Sequence, residues 1–159
     1  MKFLLILTSC ALIGGCVHQT ATPAKPPNML KLFESDEVTT FFDSRSILLY
    51  EGNPKLRQFY TVINYKKPMK ITGLQPVYSS RAIEVVNCER MEMTLIDRIY
   101  FSAPFTTGTA VFKKSQMVSD MPQWTPVIKQ SINGSITGIV CSLNASVIRS
   151  TPKEEAPKE

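Results

Sequence analysis

The sequence has a single histidine, His18, and it lies near the amino terminus, away from the stretches able to build a core. Nucleophiles of the Ser-His-Asp and Cys-His kinds need an imidazole fixed beside them, so both mechanisms are excluded. A zinc centre lacks its ligand set for the same reason. There is no Gly-rich phosphate loop: Gly14-Gly15 sits in an apolar leader, and Gly134 and Gly138 lack the preceding strand and the lysine that such a loop requires. No cofactor is implied. The longest apolar run, Phe3 to Ile13, falls well short of the roughly 18 residues that cross a bilayer. A net charge of +5 is too small to argue for a nucleic-acid partner and suits an anionic macromolecule or surface instead.

The amino terminus reads as an export signal: Lys2 supplies the positive end, an apolar run follows, and small residues precede Cys16. Leu12-Ile13-Gly14-Gly15-Cys16 resembles a bacterial lipobox, which implies cleavage before Cys16 and acylation of its sulfur and its new amino group. Val17 stands where lipoproteins retained at the inner membrane carry Asp, so the resemblance points to the outer membrane. Several acyl chains meet the requirement that stable anchoring takes more than one lipid. Residues 1–15 are thus read as the signal peptide and 16–28 as a lipidated tether, whose Pro-rich part would reach roughly 37 Å if extended. Residues 29–146 form a single β-rich domain, and the polar, Pro-broken residues 147–159 are expected to be a disordered tail.

Export also decides the cysteine chemistry. Of four cysteines, Cys10 leaves with the signal and Cys16 carries lipid, so Cys88 and Cys141 remain. In an oxidising compartment two thiols have one pairing available. A Cys88–Cys141 disulfide closes a loop of about 54 residues, worth roughly 4 kcal/mol in the chain-entropy model.

Within the domain, Leu30 to Phe33, Val38 to Phe42, Ser46 to Tyr50 and Leu56 to Tyr65 read as short strands of an antiparallel meander, with Asp43-Ser44 as a tight turn. Ser79 to Phe101 is the longest β-like stretch without Gly or Pro. It is expected to give two core strands joined at Cys88-Glu89-Arg90, with Met91, Met93 and Leu95 on one face. A last strand is expected at Thr109 to Phe112, followed by an irregular stretch in which Trp124 plugs one end of the sheet. Ile132, Ile136, Ile139, Val140 and Leu143 recur at helical spacing. The spacing predicts a short helix on the sheet with Cys141 on its inner face; a final strand is the alternative, since Gly134, Gly138 and the β-branched residues weaken intrinsic helicity.

Glu84, Glu89, Glu92 and Asp97 lie on or between the central strands, and Glu84 with Glu92 is the one pair that would suit carboxylate hydrolysis. No flanking pattern supports such a mechanism, so a solvated strand face is the expectation and the protein is not read as an enzyme. Basic residues recur at Lys66, Lys67 and Lys70 in the turn expected at Lys66-Lys67-Pro68 to Gly73, at Lys113 and Lys114 in another expected turn, and at Arg81, Arg90 and Arg98 on the central stretch. They read either as solubility and edge-protecting charges or as a surface for an acidic partner; Arg81, Arg90, Arg98, Lys66 and Lys67 are the binding candidates.

Ser80-Arg81, Ile83, Val85 and Asn87-Cys88, the Tyr100 region, Gly108, Gln123-Trp124-Thr125-Pro126, Ile139-Val140-Cys141 and the early Val38 to Ile47 run together resemble the surface-adhesin protein E family of small bacterial lipoproteins. The resemblance spans about residues 30 to 145. It implies an α+β fold, a six-stranded antiparallel sheet with a carboxy-terminal helix tied to it by the disulfide. It also implies a homodimer and an outer-membrane lipoprotein that binds host proteins such as vitronectin, laminin and plasminogen. In the family, adhesion is associated with the strand leading into the first cysteine and the basic loop before it. Arg81 matches a basic position there, whereas Leu74, Gln75 and Pro76 replace the upstream basic residues. An envelope-assembly or pilus-accessory lipoprotein with bacterial partners is the alternative.

Overall fold

The structure, a computed structural model, describes residues 23–115 and 123–151. The expected signal peptide, the lipidation residue Cys16, most of the tether and the end of the tail lie outside these residues. Segments rich in β-branched and aromatic residues form six main strands: β1 (Met29–Glu34), β2 (Val38–Leu49), β3 (Leu56–Met69), β4 (Val77–Asn87), β5 (Glu92–Phe101) and β6 (Ala110–Ser115). They lie side by side in chain order, each antiparallel to the next. A short β7 (Thr125–Pro126) pairs with the start of β5, beside the part that β6 leaves uncovered. One helix, α1 (Ile132–Ser142), follows. Cys88 and Cys141 are bonded, with Cα atoms 5.5 Å apart, so the tip of the β4–β5 hairpin is tied to the helix. The expected sheet, helix and staple are all present.

Several segments differ from the sequence reading, each for a backbone reason. Asp43-Ser44 is no turn: β2 runs through it, and the register with β3 shifts between Asp43 and Leu48. There the Asp43 carboxylate accepts from the Arg45 N–H at 3.0 Å, and the Ser46 hydroxyl donates to the Asp43 carbonyl at 2.6 Å, so the polar residues stabilise a bulge. Lys66, Lys67 and Pro68 likewise stay within β3. Pairing with β4 lapses between Asn64 and Met69, so the missing proline N–H forfeits no ladder bond. Met91, at φ 52°, belongs to the hairpin turn rather than to the strand face. Lys113 and Lys114 lie in β6, not in a turn.

The helix forms despite its two glycines because its amino-terminal end and inner face are well satisfied. Ser131 caps it by accepting from the Gly134 N–H at 3.0 Å. Gly134 is required for fit, since a Cβ there would press into the carbonyl oxygens of Ile128 and Lys129. Ile136 and Val140 face Phe42, Phe59, Val86 and Met93 of the sheet, with both cysteines at the margin of this cluster. Ile132, Ile139 and Leu143, grouped with them by sequence spacing, face outward. On the opposite sheet face a second cluster joins Met29, Phe41 and Val62, covered by Phe105. The chain also stays with the sheet as far as Thr151: the Leu49 N–H donates to the Arg149 carbonyl at 2.7 Å and the Thr151 N–H to the Leu49 carbonyl at 2.8 Å.

Candidate binding surface

The register across β3, β4 and β5 decides which side chains meet. Arg81 lies between Val62 and Ile99, and with alternate residues on alternate faces it shares the face opposite α1 with Tyr60, Ile83 and Phe101. Its guanidinium carbon is 4.7 Å from the centre of the Tyr60 ring and 5.7 Å from that of Phe101. These rings occupy the two diagonal positions on either side of Arg81, so the cation is held between them. Its Nε is buried and has no hydrogen-bond partner.

The other basic candidates do not gather around it. Arg98 pairs with Ala82, which puts it on the α1 face; there it donates to the Ser80 hydroxyl at 3.2 Å. Arg90 lies in the hairpin turn, 3.1 Å from Glu92. Lys66 is 3.0 Å from Glu34, near the far end of β3, and Lys67 beside it is exposed. Lys113 shares the Arg81 face but is 2.7 Å from Asp97.

The carboxylates are also dispersed. Glu84 lies on the α1 face, while Glu92, paired with Asn87, lies on the other, so the register separates the two acids that would have made a hydrolytic pair. Burial pushes the Glu84 carboxyl above its ordinary value; Arg98 nearby and a hydrogen bond from Thr61 offset part of this. Glu34 is held far down, to about 2, by hydrogen bonds from Lys31 and Lys66 and their positive charge. Among the described residues no cluster of three or more His, Cys, Asp or Glu is placed to hold a metal.

A turn at Pro104–Thr106 borders the Arg81 face. Phe105 and Thr106 both have left-handed backbones, at φ 54° and 59°, a cost that the surrounding bonds must offset. Asn64 accepts from the Phe105 N–H at 2.8 Å, and Ser79 accepts from the Thr106 N–H at 2.9 Å while donating to the Ala103 carbonyl at 2.6 Å. Phe105 thereby packs on Phe41 and walls a cleft of about 750 Å³ that also touches Tyr65, Lys66 and Tyr78. Sequence reasoning identified Arg81 but missed Tyr60, Phe101 and this turn. Their aromatic side chains were visible, but the register that joins them was not. Trp124, expected to plug the sheet, is half-buried beside β7 and belongs to neither buried cluster.

An antiparallel meander with one helix stapled to one face defines a small, disulfide-tied α+β domain. Residues 29–142 match the family model for surface-adhesin protein E, and the chain belongs to that family. The fold is similar to that of protein E from non-typeable Haemophilus influenzae, with a TM-score of 0.61 at 16% identity, covering 82% of this chain and 87% of that one. It is also similar to the selenomethionine form of Haemophilus influenzae protein E, with a TM-score of 0.60 at 14% identity, covering 80% and 97%. At such identities the likeness is one of fold. No curated protein matches the sequence. The family is one of surface adhesins rather than enzymes, which makes this a cell-surface protein. No helix among the described residues is long and apolar enough to cross a membrane.

Proposed function

We propose that the protein is an outer-membrane lipoprotein that acts as an adhesin, held by acyl chains on Cys16 and binding host matrix or serum proteins of the vitronectin, laminin and plasminogen kind. Residues 16–28 are the tether and 29–146 the binding domain, which works as a homodimer. The observation that carries this reading is the Arg81 guanidinium on the sheet face away from α1, which has no ion-pair partner among the described residues. Every other basic candidate is ion-paired, bonded on the opposite face, or set at a strand end. Protease treatment of intact cells tests the placement: the domain is cut and the mature amino-terminal fragment, identified by mass spectrometry, carries lipid on Cys16. An uncut domain on intact cells or an unmodified Cys16 contradicts the proposal.

A second reading, an envelope-assembly or pilus-accessory protein with bacterial partners, is favoured by the apolar residues that α1 and its flanks expose, Ile128 at 68% and Val147 at 78%. It predicts protection in the same protease experiment and recovery of envelope proteins by the immobilised domain.

A further inference from the structure

A strand arginine on a sheet face ordinarily finds a cross-strand acid, yet Arg81 has no ion-pair partner among the described residues, although Glu34, Asp43, Glu92 and Asp97 share its face. Glu34 is taken by Lys31 and Lys66, and Glu92 by Arg90. Asp97 is taken by Lys113 at 2.7 Å and by the Ser115 hydroxyl at 2.6 Å. Asp43 is taken by Asn28 at 2.6 Å and by the Arg45 N–H at 3.0 Å. With these acids bonded elsewhere, the guanidinium is left against the Tyr60 and Phe101 rings with no ion-pair partner among the described residues. Buried polar atoms without partners are few in folded proteins, and the Arg81 Nε is among the few in the described residues, as is that of Arg57.

We infer that Arg81 is the receptor for a single carboxylate, the acidic side chain of a protein partner, flanked there by apolar residues. The inference rests on the reading that this sheet face is the binding surface. Two rings in contact with the guanidinium restrict it and spare it part of the ordering entropy of a free side chain. A planar fork of N–H donors matches a carboxylate in a bidentate pair. Ile83 and Ile99 sit beside the cation on the same face, which suits apolar neighbours of the incoming acid. A sulfated polysaccharide fits less well, because a polyanion needs several free cations in a line. Lys113 and Lys66 are already ion-paired, Arg98 is on the other face, and Lys66 lies four residues along the strand from the Arg81 partner Val62, about 13 Å away.

The test uses the mature protein, labelled with 15N and held in detergent micelles. It is titrated with acetyl-Phe-Glu-Phe-amide, with the Gln counterpart of that peptide, and with a sulfated heparin disaccharide, while the arginine Nε–H resonances are followed. The Arg81 signal should move with the Glu peptide and not with the Gln peptide, and the Arg98 signal should stay. Arg81→Lys, which keeps a cation between the rings, should retain the native melting temperature and lose at least about tenfold in affinity, the worth of one charge-assisted hydrogen bond. An Arg81 signal unmoved at the solubility limit of the Glu peptide, an equal response to the Gln peptide, tighter binding of the disaccharide, or a folded Arg81→Lys variant that binds as well overturns the inference. Attachment to host proteins is scored in parallel. Attachment with an unmoved Arg81 signal removes this inference and leaves the adhesin reading; a Glu-peptide response without attachment does the reverse.

Discussion

Arg81 and Arg98 stand on neighbouring strands and on opposite faces of the sheet. Arg81 pairs with Ile99, one residue past Arg98, so the pleat sends one guanidinium to the face away from α1 and the other to the helix side. Two arginines that look equivalent in the sequence therefore have different work to do.

Substitution should separate these roles. Arg81→Glu is expected to abolish binding to an acidic partner while leaving unfolding in urea close to native. Arg98→Gln should leave binding intact and lower stability by about 1–3 kcal/mol, because the buried Ser80 hydroxyl loses a donor and Glu84 loses its nearby cation. A loss of binding in Arg98→Gln without a loss of stability would count against this division.

The disulfide should account for a large share of the domain's stability. With Cys88 and Cys141 53 residues apart in the chain, replacing both by Ser is expected to cost roughly 4 kcal/mol, the loop-closure value for a loop of this length. The staple joins the hairpin tip to α1, so the helix-side cluster loosens first. Near-ultraviolet circular dichroism should reveal this under reducing conditions while the far-ultraviolet strand signal persists. An unchanged melt after reduction would show that the packing of Ile136 and Val140 alone holds the helix.

Gly134→Ala should destabilise the protein by about 1–3 kcal/mol, although Ala is the better helix former by about 1 kcal/mol. The added methyl meets the carbonyl oxygens of Ile128 and Lys129, which are backbone atoms and cannot turn aside. Urea unfolding of the variant decides the point, and a stabilised variant would mean that helix propensity outweighs the clash.

Glu34 and Glu84 should give opposite pH dependences. The folded pKa of Glu34 is lowered from 4.5 to about 2, so its contribution to stability is present above pH 4.5 and is lost as pH falls towards 2. The folded pKa of Glu84 is raised above 4.5 by burial, so its contribution is present below that value and is lost as pH rises through the folded one. Urea midpoints measured against pH should therefore lose their acid-side fall in Glu34→Gln. In Glu84→Gln they should lose part of their fall on the way up from pH 4.5. Added salt should weaken the Glu34 effect, whose partners are exposed, more than the Glu84 effect.

The strands, the helix and the staple were legible in the sequence because each rests on a local signal: alternation around Val85, helical spacing around Ile136, and cysteines left over after export chemistry. The registers were not. Ile83 pairs with Asp97 and Glu84 with Leu95, so Ile96 is an extra residue in β5. One such residue reverses which side chains beyond it share a face. Without it, Arg98 and Phe101 would each appear on the wrong side, and neither the isolation of Arg98 nor the ring beside Arg81 could be read. The polar pairs Asp43-Ser44 and Lys66-Lys67 misled in a related way, since local composition signals a turn while the neighbouring strands hold the backbone extended. The proposed site is visible only after these shifts, because it is built from diagonal neighbours on three strands.

Attachment of the mature protein to immobilised vitronectin, laminin and plasminogen, compared with that of its Arg81→Glu variant at matched thermal stability, decides whether Arg81 carries host binding. The native protein is expected to attach to at least one of the three, and the variant to lose most of that attachment. Attachment that survives the charge reversal, or its absence from the native protein, would contradict this expectation.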